Sequence, residues 1–491
     1  MAAKRKSEKR EKRTTVQKID RELTPQRGET VSFEVLCRSR SGGGLPEMVG
    51  ELTIDTLERN TPDERTMAGV AKHLQTLGFS VFVDDASTSV SAEGPIELFE
   101  RAFQTGLRKR ERTLKTASRE HTFEFFDTRK DAPEPNVSGV PGALFASIQR
   151  PPIYFQSPLP PPVKYFHLAV PGDVALLTNA SATHRQKTAT GDRATGAGVR
   201  VAMLDTGFFM HPYHVRHGYR LTPVLAADAI GPPDLDPSGH GTGEVANIFA
   251  CAPDAQVFGV KTGANPVLSF DKAMAFAPRV ISNSWGYHLP GVTTLPLALV
   301  PLRLKILSVV ASGVTVVFSG GNGHIAFPAM MPEVIAVGGV YADNNGALKA
   351  SDYASSFTSL IFPGRNVPDF CGLVGMKPKA AYIMLPIPKG CEIDSGLGGV
   401  PFPNKDETST SDGWGVFSGT SAAAPQVAGI AALLLQKKPT LTPNQVKTIL
   451  RGTGVDVTSG TSFNGDVAVV GPDRATGTGL VNALRAWLAT S

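Results

Sequence analysis

Cysteine is scarce. Only Cys37, Cys251, Cys371 and Cys391 occur in 491 residues, with no C-x-x-C pair, so neither a disulfide framework nor a cysteine zinc site is expected. The sequence leaves two readings open for them: buried free thiols, or a single Cys371–Cys391 bridge. Long apolar runs are also missing. No stretch reaches the roughly 18 uninterrupted apolar residues of a membrane span. The nearest approach, after Ser421, is interrupted by Pro425 and Gln426 and reads as a buried helix. The first twenty residues lack the apolar core of a secretory signal, which predicts a cytoplasmic chain, with non-classical secretion as the other route. Those residues carry eight Lys/Arg against three Asp/Glu, a balance of +5 equal to that of the whole chain. The rest is therefore neutral overall. This predicts a disordered, solubilising basic tail over 1–27 and no nucleic-acid partner.

What is present is a globular composition, 41% hydrophobic and 19% charged. VSFEVLCR (31–38) reads as a strand. PDERTMAGVAKHLQTLGF (62–79) reads as a helix, with Met67, Val70, Leu74 and Leu77 on one face. SVFVDD (80–85) and the segment TSVSAEG read as strands, PIELFERAFQTGL (95–107) as a helix and TFEFFD (122–127) as a closing strand. The order β-α-β-β-α-β is the split βαβ, ferredoxin-like plan, giving a small α+β domain over 28–130. The basic stretch 108–115 reads as a loop. Nine prolines in 131–162 predict an extended linker over 131–164, open to proteolysis. From 165 to 491 apolar runs (VRVAMLD, AQVFGVK, PRVISNSW, VTVVFSG, VIAVGGV) alternate with helical ones, which predicts an α/β fold with a doubly wound, mainly parallel sheet.

Four places carry chemistry. Asp205 ends a buried strand and precedes Thr-Gly, the position where functional groups gather in open α/β sheets; a turn or helix-capping aspartate is the plain alternative. His240 stands between Gly239 and Gly241, which clear space around an imidazole. Asn322 sits in the Gly-rich loop SGGNGH, where its amide can donate to an oxyanion, or serve as an ordinary turn residue. Ser421 lies between Gly419-Thr420 and three alanines, at the start of a helix. An N-cap is the plain reading of that serine. A nucleophile is the other, because small neighbours leave room for a tetrahedral adduct. Together, Asp205, His240 and Ser421 fit the roles of orienter, general base and nucleophile, with Asn322 and the Ser421 N–H as the oxyanion hole.

The motifs D-T-G (205–207), H-G-T (240–242), N-S-W-G (283–286), S-G-G-N-G (319–323) and G-T-S-A-A-A-P (419–425) resemble those of subtilisin-like serine peptidases, the subtilases, over 165–491. The resemblance implies a three-layer fold and endopeptidase activity on polypeptides. It also implies a substrate strand held by Ser284, Trp285 and Gly286 on one side and by Ser319, Gly320 and Gly321 on the other. No cofactor is implied for the chemistry. Structural calcium is common in such proteins, but no ligand cluster stands out here. The sequence departs from the common H-G-T-H, since Gly243 and Glu244 follow Thr242. The run 88–107 is similar to sedolisin-type prodomains, which implies a propeptide that acts as an intramolecular inhibitor. Two functions from different classes follow: a self-processing peptidase, free or held off until a partner releases it, or a catalytically silent peptide-binding module.

Overall fold

The computed structural model describes residues 17–40, 52–84, 87–115, 120–150, 153–154, 163–164, 166–377, 382–400 and 405–491. Residues 1–16 of the basic tail and the proline run 158–162 lie outside the described residues.

Along the N-terminal region come β1 (Gln17–Leu23), β2 (Thr30–Cys37), α1 (Glu64–Leu77), β3 (Ser80–Phe82), β4 (Val90–Pro95), α2 (Ile96–Phe103), β5 (Leu107–Lys115), β6 (Glu120–Thr128), β7 (Ala143–Ile148) and β8 (Ile153–Tyr154). Helix α1 starts where the Asp63 side chain accepts from the Thr66 N–H at 2.8 Å and stops at Gly78 in the left-handed region; it buries Met67, Val70 and Leu74. One antiparallel sheet runs β3-β4-β2-β7 and a second runs β1-β5-β6. Four expectations are corrected. The tail read over 1–27 is not all tail, because Gln17–Leu23 pairs with β5 as strand β1. The basic stretch 108–115 is strand, because Arg108 and Arg110 find Asp127 across the β5–β6 pair. TFEFFD belongs to β6 and not to the first sheet. The strand that closes the first sheet is β7, inside the stretch read as linker, whose prolines flank it at 133, 135, 141, 151 and 152.

The second region contains β9 (Arg200–Asp205), β10 (Arg220–Leu225), α3 (His240–Cys251), β11 (Gln256–Lys261), α4 (Pro266–Met274), β12 (Val280–Asn283), β13 (Trp285–His288), α5 (Val300–Ala311), β14 (Thr315–Ser319), β15 (Ala326–Phe327), β16 (Ile335–Ala342), β17 (Leu348–Ala350), β18 (Phe370–Leu373) and α6 (Thr420–Lys437). The main sheet runs β10-β11-β9-β12-β14-β16, parallel throughout; β16 also pairs with β18 in parallel and with β17 antiparallel. Alternation along β9 sends Val201 and Met203 to one face, packed with α3 and α6, and Ala202 and Leu204 to the other, packed with α4 and α5. Asp205 ends β9, and Ser284 and Asn322 follow the carboxyl ends of its successive neighbours, β12 and β14.

The N-terminal region packs on the α4–α5 face. Leu36 and Leu52 belong to that core, and Phe123, Leu144 and Phe145 pack against it. Arg303 of α5 donates to the Leu52 carbonyl at 2.8 Å, and Asn265, which caps α4, donates through its side chain to Glu34 of β2. All four cysteines are free and buried, so the Cys371–Cys391 bridge is not formed. Among the described residues no helix is long and apolar enough to cross a membrane.

Candidate active site

Asp205 is fully buried at the end of β9, and its Oδ1 accepts from the Thr206 N–H at 2.8 Å and from His240 Nδ1 at 2.7 Å. His240 opens α3, also fully buried. Gly239 before it has φ +85°, and a Cβ on Gly241 after it would collide with the Gly207 carbonyl and press on the Asp205 side chain. The glycines thus let the helix start against the Asp205 strand. Asp236 braces the same turn: it accepts from Thr206 Oγ1 (2.8 Å), the Gly239 N–H (3.0 Å), the Thr242 N–H (2.9 Å) and Thr242 Oγ1 (2.7 Å). Burial works against a charged imidazole here. Asp205, by charge and hydrogen bond, outweighs it, and with Glu244 and Asp236 raises His240 to about 9.

Ser421 lies in the first turn of α6. Gly419 occupies the N-cap without a side-chain hydrogen bond, so the N-cap reading of Ser421 does not hold. Its Oγ instead points to the Ser284 carbonyl at 3.4 Å, while Ser284 Oγ donates to the Ser421 carbonyl at 2.8 Å. The alanines have a packing cause: Ala423 lies directly on Gly372 of β18, where any Cβ on the glycine would clash. Helix α6 also crosses α3 closely, since a Cβ on Gly429 would meet the Ile248 carbonyl oxygen at 2.7 Å. The helices that begin near His240 and Ser421 are thereby packed together.

Asn322 is fully buried between Gly321 (φ +109°) and Gly323 (φ +86°). Its Oδ1 accepts from the Thr420 N–H at 3.0 Å and from Thr420 Oγ1 at 3.1 Å. With the oxygen held by a backbone donor, the amide nitrogen is the end able to donate. Thr420 Oγ1 also accepts from the Gly321 N–H at 3.1 Å, which ties this loop to the residue before Ser421.

Of the expected substrate-binding residues, Trp285 and Gly286 form a strand edge, but the indole itself is core, packed edge-on against Phe270 and Phe318. That edge is occupied: β8 pairs with it antiparallel, Tyr154 opposite Trp285 and Ile153 opposite Gly286. Ser319 ends β14, and Gly320 donates to the Val337 carbonyl at 2.8 Å. Sequence reasoning missed Asp236, Thr420 and the β8 pairing. The only signal for the first was an aspartate four residues before His240. Among the described residues no group of three or more His, Cys, Asp or Glu is placed to hold a metal ion.

The subtilase family model matches residues 196–479. Alkaline elastase YaB from Bacillus sp. (strain YaB) is 28% identical over 308 residues, covering 59% of this chain and 64% of its own length. Subtilisin Savinase from Lederbergia lenta is 28% identical over 310 residues, covering 59% of this chain and 90% of its own. Serine protease AprX from Bacillus subtilis (strain 168) is 29% identical over 325 residues, covering 56% and 66%. This chain thus spans just under two thirds of the length of some of the relatives it matches. Among solved structures, fervidolysin from Fervidobacterium pennivorans shares the fold, with TM-score 0.54 and 17% identity over 95% of this chain and 62% of that one. With more than half of its residues matched by the family model and the motif residues gathered at three adjacent strand ends, the chain belongs to the subtilase family.

Proposed function

We propose that the protein is a serine endopeptidase, made as a self-processing zymogen, that hydrolyses peptide bonds in polypeptides. The observation that carries this is the 2.7 Å bond between Asp205 and His240 Nδ1, in a chain whose Ser421 and Asn322 are likewise buried and tied together through Thr420. Ser421 Oγ attacks the carbonyl carbon while His240 Nε2 takes its proton. The Asn322 amide and the Ser421 N–H receive the charge on the carbonyl oxygen. His240 then passes the proton to the leaving amine, and water repeats the sequence in reverse to free the acid. Asp205 fixes the tautomer by accepting from Nδ1 and steadies the charged ring. The names of the relatives, an alkaline elastase and a serine protease among them, support this activity.

The zymogen part rests on β8. The N-terminal region, read as a split βαβ propeptide, feeds a strand onto the Trp285–Gly286 edge in the way a substrate would add by backbone pairing. Because the pairing is antiparallel, β8 runs from Gly286 to Trp285, next to Ser284, whose carbonyl lies beside Ser421 Oγ. Self-cleavage is therefore expected shortly after Tyr154. Wild type and Ser421→Ala are compared by intact mass, N-terminal sequencing, casein hydrolysis and fluorophosphonate labelling. Wild type alone is expected to split, to hydrolyse casein and to take the label. Equal activity in purified Ser421→Ala would sink the mechanism, and absence of both label and activity in the wild type would favour a silent peptide-binding module.

A further inference from the structure

Helix α3 is buried along its whole length, yet it carries an ionisable carboxyl, Glu244, one turn beyond His240 and 1% exposed. A carboxyl in such a place is costly unless it is partnered or neutral. Its hydrogen-bond partner is a neutral amide: Asn247 Nδ2 donates to Glu244 Oε2 at 3.0 Å. Asn247 Oδ1 in turn accepts from Gln426 Nε2 at 3.3 Å, and Gln426 grips both backbone polar atoms of Leu373 in β18 (2.8 and 3.1 Å). Gln426 lies on α6, five residues beyond Ser421. The carboxyl is thus the end of a buried polar chain that runs from the helix of His240 to the helix of Ser421.

The other groups around this pair are already committed. Asp205 holds Nδ1, and Asp236, whose carboxyl burial raises against the pull of its donors, accepts four hydrogen bonds from the DTG and HGT turns. His214, packed on α3 with a ring nitrogen 3.3 Å from the Thr242 carbonyl, is kept neutral by burial, which lowers it to about 4. Cys391, which lies against Gly239, is pushed up to about 11 by burial and stays a thiol. From α6 and β18 come only the neutral Gln426 and backbone. Glu244, with a single amide donor where Asp236 has four, is the less supported of the two carboxyls that act on His240 beside Asp205. Burial raises it to about 8; the charge of His240 opposes that rise and Asp205 adds to it.

We propose that Glu244 is a positioning residue that sets the basicity of His240, placing a further negative charge near the imidazole from one helical turn away. The inference rests on the reading of His240 as general base. It predicts that the acid limb of kcat/KM belongs to two coupled groups and not to His240 alone. An ionised Glu244 favours the imidazolium, so removing its charge lowers the pH at which His240 becomes a base.

The test is an NMR titration of histidine-labelled full chain in the Ser421→Ala background, with and without Glu244→Gln. The expected result is a His240 midpoint lower by about one unit in Glu244→Gln. Thermal stability should not fall, because a buried carboxyl is replaced by an amide that can still accept from Asn247. In the Ser421 enzyme the acid limb should move the same way, with KM within about twofold. A folded Glu244→Gln with an unmoved midpoint overturns the proposal. Should that variant not fold, Asn247→Leu decides. Loss of its donor makes Glu244 harder to ionise, so a smaller downward move is expected and an unmoved midpoint overturns the proposal. A moved midpoint without any peptidase activity would uphold the coupling and defeat the assigned function instead.

Discussion

At Asn322 the orientation of one carboxamide decides what the site can do. Its oxygen is held by Thr420, which leaves the nitrogen as the donor that the proposed attack by Ser421 requires. A donor of this kind acts on the transition state and hardly on bound substrate. Asn322→Ala is therefore expected to lower kcat by about 10²–10³, the size measured for such a donor in subtilisin, with little change in KM. Steady-state kinetics on a peptide substrate check it; a rise in KM with kcat intact would reassign Asn322 to binding. The residues proposed as a triad stand out in sequence because each carries its signal locally: glycines around His240, Gly-Thr and alanines around Ser421, a strand end at Asp205. Thr420 and Ser284 were not legible as supports, because their partners lie 98 and 137 residues away in sequence.

At the scale of elements, the crossing of α3 and α6 brings the two helices together. Gly429 makes that crossing possible, since an added Cβ would meet the Ile248 carbonyl oxygen at 2.7 Å and Cys251 Cβ at 2.8 Å. Helix propensity alone would favour Gly429→Ala by about 1 kcal/mol. The clash is with backbone that cannot swing aside, and overpacking of this kind costs about 1–3 kcal/mol, so a net loss of stability is expected. Gly452, in the helix Pro443–Thr453, has open space where its Cβ would be, so Gly452→Ala is expected to stabilise by up to about 1 kcal/mol. Thermal unfolding of both in the Ser421→Ala background separates the two effects, and a stabilised Gly429→Ala would refute the packing argument. The same contrast explains what could be read from sequence. The strands of the main sheet showed as apolar runs because both faces are buried. Strand β5 did not, because it is mostly charged, and Arg108, Lys109 and Arg110 find carboxylates on β6, across the pair. Strand β7 was hidden by prolines that bracket it without entering it.

For the whole molecule, the decisive contact is the one between the N-terminal region and the rest. Glu34 of β2 is fully buried there, accepting from Ser89 Oγ at 2.6 Å, from Ser91 Oγ and from Asn265 Nδ2 at 2.5 Å. Asn265 also donates its N–H to Asp228 at 2.6 Å, and Asp271 of α4, paired with Lys305, adds further negative charge. Burial raises Glu34 to about 7, against the pull of those three donors. A carboxyl raised on docking binds its proton more tightly when docked. Its contribution to docking is therefore complete below its ordinary value near 4.5 and is lost as pH rises through about 7. Glu34→Gln removes that dependence. At pH 5, where Glu34 is protonated, the variant and its parent should melt alike in the Ser421→Ala background. At pH 8 the parent must bury a charge or loosen the contact, so Glu34→Gln should melt higher. In the active protein the same substitution should slow the appearance of peptidase activity at pH 8. A variant that melts lower than its parent at pH 8 would mean that the carboxylate is a bond the interface needs, and that alkaline pH does not loosen the N-terminal region.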